Sequence, residues 1–174
     1  MPTLPPPHTA TPYAIAMVCL GNICRSPMAA TVMSAKLAHA GMDGAVVVHS
    51  AGTGDWHVGE PMDVRAAATV AAAGYDPSDH RAATFDVDWF DCHDLVLAMD
   101  SDNRRDLAAM ARDELELSRV QMFRSFDAGA DDLDVPDPWY GGALGFERVL
   151  AMVERTTDQI VAELTRDPVL RLES

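Results

Sequence analysis

Val18-Cys19-Leu20-Gly21-Asn22-Ile23-Cys24-Arg25-Ser26-Pro27 joins one apolar run to another, and its reading decides the fold. The run before it, Ala14–Val18, is continuously apolar, as in a strand covered on both faces. The run after it, Met28–Ala40, is rich in Ala and Met and meets no breaker before Gly41, as in a helix. A strand that turns directly into a helix opens a βαβ unit. Pro27 suits a first helical position, where its missing N–H costs nothing. Gly21 and Asn22 are the residue types that most easily take positive φ. The loop amides and the helix N-terminus then converge on one point, an anion cradle.

The same alternation continues outward. Ala45–His49, Leu95–Met99 and Val120–Phe123 read as three more strands. Val64–Ala73, ended by Gly74, and Asn103–Arg112 read as helices between them. The last helix is marked by Phe146, Val149, Val153, Ile160 and Leu164 at helical spacing, with Gly141-Gly142 before it and Pro168 after it. The pattern predicts an α/β fold: a single three-layer domain with a central four-stranded parallel sheet flanked by helices. In such sheets a site lies beyond the carboxyl ends of the strands, which points to the turns after Val18, His49 and Met99.

A chain of 174 residues suits one domain and can bury a core without staples. The longest apolar run, Tyr13–Leu20, is far short of the roughly 20 residues that cross a bilayer. The 13 basic residues face 27 acidic ones, and Lys36 is the only Lys. A net charge of -14 disfavours nucleic acid and anionic membranes as partners. Residues 1–12 carry five prolines and read as a stiff, mobile tail, with the domain proper spanning 13–174. No export signal is visible, and three cysteines read as thiols of a cytoplasmic protein.

The chemistry lies in the first loop. Cys19 ends a buried strand at the base of the cradle. A helix N-terminus and a neighbouring Arg favour the thiolate, the form that attacks. Ser26 can donate a hydrogen bond to that sulfur. Arg25 can grip two oxygens of a tetrahedral anion with its planar fork. No Gly-Lys-Ser/Thr phosphate loop occurs, which argues against nucleotide hydrolysis. Cys92 and His93 are isolated from any second ligand pair, so no metal is expected.

From Ala14 to about Leu164 the chain resembles the low-molecular-weight protein tyrosine phosphatases. The resemblance rests on Val18–Pro27, Ser50-Ala51-Gly52-Thr53 with Trp56, Asp79-His80-Arg81-Ala82, Met99-Asp100-x-x-Asn103 and Asp137-Pro138-Trp139-Tyr140. It implies hydrolysis of phosphotyrosine in proteins through a cysteinyl-phosphate, without cofactor or metal. Cys19 would be the nucleophile, Arg25 the phosphate ligand and Asp137 the general acid and base. Leu20, Gly21, Asn22, Ile23, Cys24 and Ser26 would form the phosphate-binding loop. Asn22 and Ser50 would brace it, His80 would orient Ser26, and Asp100 would add support. Trp56, Trp139 and Tyr140 would wall the cleft, with Asp55, His57 and Glu60 tuning substrate choice. Trp139 stands where the family often has a first Tyr, so the hydroxyl there is gone. The resemblance also implies a reversible Cys19–Cys24 disulfide, tyrosine-phosphorylated proteins as substrates and a counterpart tyrosine kinase. Oligomeric state stays open, and because the family includes secreted members without an obvious signal, so does secretion.

Three other readings compete. Arsenate reductase shares the loop but needs two relay cysteines, and only Cys92 lies outside the loop. Protein-arginine phosphatases tend to have Thr where this chain has Ile23. A silent phosphotyrosine-binding module would lack part of the nucleophile, Arg and acid set, all present here.

Overall fold

The computed structural model describes residues 2–8 and 12–171. Four strands, β1 (Tyr13–Cys19), β2 (Val46–Gly52), β3 (Leu95–Ala98) and β4 (Val120–Met122), form one parallel sheet in the order β2-β1-β3-β4. Seven helices connect and cover them: α1 (Arg25–His39), α2 (Val64–Ala72), α3 (Trp89–Cys92), α4 (Ser101–Met110), α5 (Glu114–Arg119), α6 (Ala143–Arg166) and α7 (Pro168–Arg171). A 3-10 turn, Phe123–Phe126, follows β4 directly. The expected α/β architecture with its four-stranded parallel sheet is what forms.

The side-chain period of the strands divides the core in two. Ile15, Met17, Cys19, Leu95 and Leu97 point to the face covered by α1 and α6, where Val32, Met33, Phe146, Val149, Val153 and Ile160 are buried. Ala16, Val18, Val96 and Ala98 point to the other, against Phe85, Phe90 and Leu107. Every residue of β1 is buried, as its continuous apolar run requires. β2 departs from that expectation: it is the sheet edge, and His49 is exposed.

Between β1 and its neighbours the strand order reverses. The chain crosses from β1 to β2 on one side, then returns to place β3 on the other. That switch point lies at the carboxyl end of β1, where Cys19 stands. After the 3-10 turn a long loop passes back over the same end, and Val135 N–H donates to the Met99 carbonyl at 2.7 Å.

Three expectations change in detail. Helix α1 begins at Arg25, so Pro27 is its third residue and still sits in the first turn. Pro168 starts the short α7 instead of only ending α6. Residues 2–8 of the Pro-rich segment lie against the domain. Leu4 packs on the larger core cluster. The Pro5 carbonyl accepts from Tyr13 Oη at 2.9 Å, and the Thr3 carbonyl accepts from Gln121 Nε2 at 3.0 Å. His8 meets the buried Asp94 carboxylate through its backbone N–H at 2.8 Å and its Nδ1 at 2.6 Å. Residues 9–11 of that segment lie outside the described residues.

Candidate active site

The loop after β1 owes its shape to Asn22. Its φ is 56°, the one left-handed non-Gly residue among those described. Its Nδ2 donates to Ser26 Oγ at 2.8 Å, its Oδ1 accepts from Ala83 N–H at 2.9 Å, and its N–H reaches Cys19 Sγ at 3.3 Å. Gly21 has no positive φ. It is small because a Cβ there would stand 3.1 Å from the His57 ring.

Cys19 Sγ lies 2.9 Å from Ser26 Oγ, and both residues are buried. With Asn22 Nδ2 donating to Ser26, the hydroxyl proton is free to point at the sulfur. The sulfur thus has two hydrogen-bond donors. The amides of residues 20, 21, 23, 24 and 25 have no protein acceptor among the described residues. They line a cavity of about 250 Å³ together with Cys19, Trp56, His57, Asp137, Trp139 and Tyr140. Unpaired N–H groups at a helix start are an anion receptor.

Arg25 is 3% exposed and is held from two sides. Its Nη1 donates to Asp100 Oδ2 at 2.5 Å and to the Val135 carbonyl at 3.0 Å. Burial works against its charge, but Cys19, the Asp100 hydrogen bond and Asp137 together hold its pKa above the ordinary arginine value. Asp100 also caps α4 by accepting from Asn103 N–H at 2.7 Å. Asp137 Oδ2 lies 3.6 Å from Arg25 Nη2, and its Oδ1 accepts from Trp139 N–H at 3.0 Å. The fold therefore brings the Cys19 thiol, the Arg25 guanidinium and the Asp137 carboxylate to one cavity, although Asp137 is 110 residues or more from the loop.

Two bracing roles differ from expectation. His80 does not reach Ser26; its Nε2 donates to the Asn22 carbonyl at 2.7 Å. A carbonyl only accepts, so Nε2 carries the proton. Burial, helped by Arg81, lowers the His80 pKa against that hydrogen bond. Among the described residues no hydrogen bond joins Ser50 to the loop. The strand end does the bracing with backbone: Thr53 N–H donates to the Cys19 carbonyl and Gly54 N–H to the Leu20 carbonyl, each at 2.9 Å, while Ser26 Oγ approaches the Ala51 carbonyl at 3.4 Å.

Trp56, Trp139 and Tyr140 line the cavity. Trp56 lies across Gly54, where a Cβ would be 1.9 Å from the indole, so only glycine permits that pose. His57 pairs with Glu60 at 2.8 Å and leans on Trp139 at 6.0 Å between ring centroids. Tyr140 stands 92% exposed at the rim.

Cys19, Cys24 and Cys92 are free thiols. Burial, together with Asp63, Cys19 and Asp137, pushes the Cys24 thiol up to about 12. A protonated thiol is a slow attacking group in disulfide exchange. No group of three or more metal-ligating side chains occurs among the described residues.

Residues 14–170 match the family described as low molecular weight phosphotyrosine protein phosphatase. The chain belongs to that family. It is 45% identical over 152 residues to a low molecular weight protein-tyrosine-phosphatase of Streptomyces coelicolor, covering 86% of this chain and 92% of the relative. It is 46% identical over 145 residues to low molecular weight protein-tyrosine phosphatase A of Mycobacterium tuberculosis, covering 82% and 86%. The crystal structure of YfkJ from Bacillus subtilis superposes with a TM-score of 0.85 at 30% identity, covering 91% of this chain and 98% of that one. The protein is thus a phosphatase of this family, a hydrolase acting on phosphoproteins.

Sequence reasoning missed Asp63 and Arg65. Asp63 accepts from Arg65 N–H at 2.8 Å as the cap of α2. The Asp-x-Arg pattern before a helical run was the available signal, but it reads as an ordinary N-cap.

Proposed function

We propose that the protein hydrolyses phosphotyrosine in proteins through a phosphocysteine at Cys19. The observation that carries this is the Cys19–Ser26–Asn22 hydrogen-bond chain beneath a cavity lined by unpaired amides. The phosphoryl oxygens would lie against those amides and the Arg25 guanidinium. The thiolate would attack phosphorus while Asp137 gives its proton to the departing phenolate. Asp137, now a base, would take a proton from the water that opens the thiophosphate, releasing phosphate and restoring the thiolate. Charge developing on the oxygens is met by groups already in place.

The aromatic walls support a flat substrate ring. Apolar Ile23 at the loop supports an aryl phosphate over phosphoguanidinium. A counterpart tyrosine kinase belongs to this reading as the source of substrate. The acidic surface argues against nucleic acid or anionic membranes as partners, and no helix among the described residues is long and apolar enough to cross a membrane. The three free thiols support a reducing, cytoplasmic setting.

Phosphate release from a phosphotyrosine peptide, a phosphoserine peptide and phosphoarginine, with EDTA present, tests the reading. Turnover of phosphotyrosine alone, abolished in Cys19→Ser, is the expected result. Preference for phosphoarginine, or activity surviving the Cys19 change, would overturn it.

A further inference from the structure

The acid carried by Asp137 is useful only if its loop is held over the nucleophile. Between Val135 and α6 the loop carries internal turns: Trp139 N–H to Asp137 Oδ1, and Gly141 N–H to the Pro138 carbonyl. Gly141 and Gly142 follow at once and add no stiffness. Among the described residues, one side-chain hydrogen bond reaches this stretch from outside, beside the Arg25–Asp137 contact at 3.6 Å and the Gly145 N–H of α6 on the Gly142 carbonyl. Arg65 Nη1 donates to the Trp139 carbonyl at 3.1 Å.

Arg65 is itself fixed in several directions. Its guanidinium lies 5.2 Å from the Trp139 ring centroid and 4.8 Å from that of Phe146 on α6. Its Nε and Nη2 reach the two oxygens of Asp63, each at 3.2 Å. Asp63 in turn is tied to the nucleophile loop, because its N–H donates to the Ile23 carbonyl at 2.9 Å. One continuous path therefore runs from Ile23 through Asp63 and Arg65 to Trp139, two residues from Asp137.

We propose that Arg65 is a positioning residue for the general acid, registering the Asp137 loop against the Cys19 loop. The inference rests on the phosphotyrosine reading above and deepens it. A planar fork is needed, since the same group must bond Asp63, bond a carbonyl and stack on two rings. Its side chain is 41% exposed, so plain charge attraction across this link is screened and geometry does the holding.

The test is the dependence of kcat/KM, which reports the step in which the phenolate leaves, on the leaving group across a series of aryl phosphates, from nitrophenyl to unsubstituted phenyl. An acid in place keeps that dependence shallow; Asp137→Asn makes it steep, because the phenolate then leaves unprotonated. Arg65→Met, which keeps an apolar stem over the rings, steepens the dependence: a loss of about tenfold for phenyl phosphate against about twofold for nitrophenyl phosphate. Arg65→Lys, which keeps the charge without the fork, behaves like Arg65→Met. In the double variant with Asp137→Asn the Arg65 change costs nothing further, since the acid it positions is gone. An equal loss across the series, or full additivity with Asp137→Asn, would reduce Arg65 to a structural residue and overturn the inference alone. A shallow dependence in Asp137→Asn itself would overturn the reading of Asp137 and this inference with it.

Discussion

Asn22 concentrates the local physics of the site in one residue. Its backbone takes a conformation that costs most residues about 1 kcal/mol or more. Its amide side chain satisfies both Ser26 and Ala83, and its carbonyl accepts from His80. Alanine at this position keeps the strain and drops both side-chain bonds. Asn22→Ala is expected to lower stability by about 2–4 kcal/mol in a urea titration and to cut turnover by roughly a hundredfold. A variant with wild-type turnover would show that Ser26 needs no orientation. At this scale the sequence was legible where a residue type has one job: a Cys ending a strand, an Arg six positions on, an Asp between prolines. It was not legible where the job depends on which neighbour arrives. His80 meets the Asn22 carbonyl instead of Ser26, and Ser50 leaves bracing to the Thr53 and Gly54 amides.

Among the elements, the long periodic ones were readable and the short ones were not. Helices α1, α2, α4 and α6 and all four strands announced themselves by apolar spacing. The four-residue α3 and α7, the six-residue α5 and the 3-10 turn carry less than two turns of pattern, so periodicity has nothing to act on. One short helix matters for pH. Trp89 of α3 stacks on His93 at 4.8 Å, and its carbonyl accepts from His93 Nδ1 at 2.9 Å. His93 Nε2 is then bare and accepts from His49 Nδ1 on β2 at 2.9 Å. Burial lowers the pKa of both rings below the ordinary 6.5, as it does for His80. The unfolded chain therefore binds protons before the folded one does as pH falls. Stability is complete above about pH 6.5 and declines below it, by up to about 1.4 kcal/mol per pH unit for each proton taken up. The depressed carboxylates of Asp63, Asp91 and Glu116 add acid sensitivity only below their ordinary values of 3.8 and 4.5. Urea titrations at pH 7.5 and 5.5 should show the loss, and His93→Gln should make it smaller. An unchanged slope in that variant would remove the His49–His93 pair as its cause.

For the whole molecule, the prolines misled. Pro-rich composition predicts a stiff strand of chain but says nothing about where it lies. Here Pro5 and His8 lie at the end of the sheet opposite the site, pinned at Tyr13 and Asp94, while Pro2 and Thr3 run beside β4 at Gln121. The anchor at Tyr13 is the length of β1 away from Cys19, about 20 Å of strand. Deleting residues 1–8 should lower Tm by roughly 3–8 °C and leave kcat unchanged. A fall in kcat without a fall in Tm would mean that the segment acts on the site. The place of β1 has a further consequence. It is bonded on both edges and covered on both faces, so its amide protons should exchange only when the entire domain opens. Cys19 hangs from the end of that strand, while Asp137 rides a stretch tied down by few bonds. Warming should loosen Asp137 before it disturbs the sulfur. If the proposed phosphocysteine route holds, the enzyme just below its melting point should pass through a form that is still labelled by activated aryl phosphates but is slow to discharge the label.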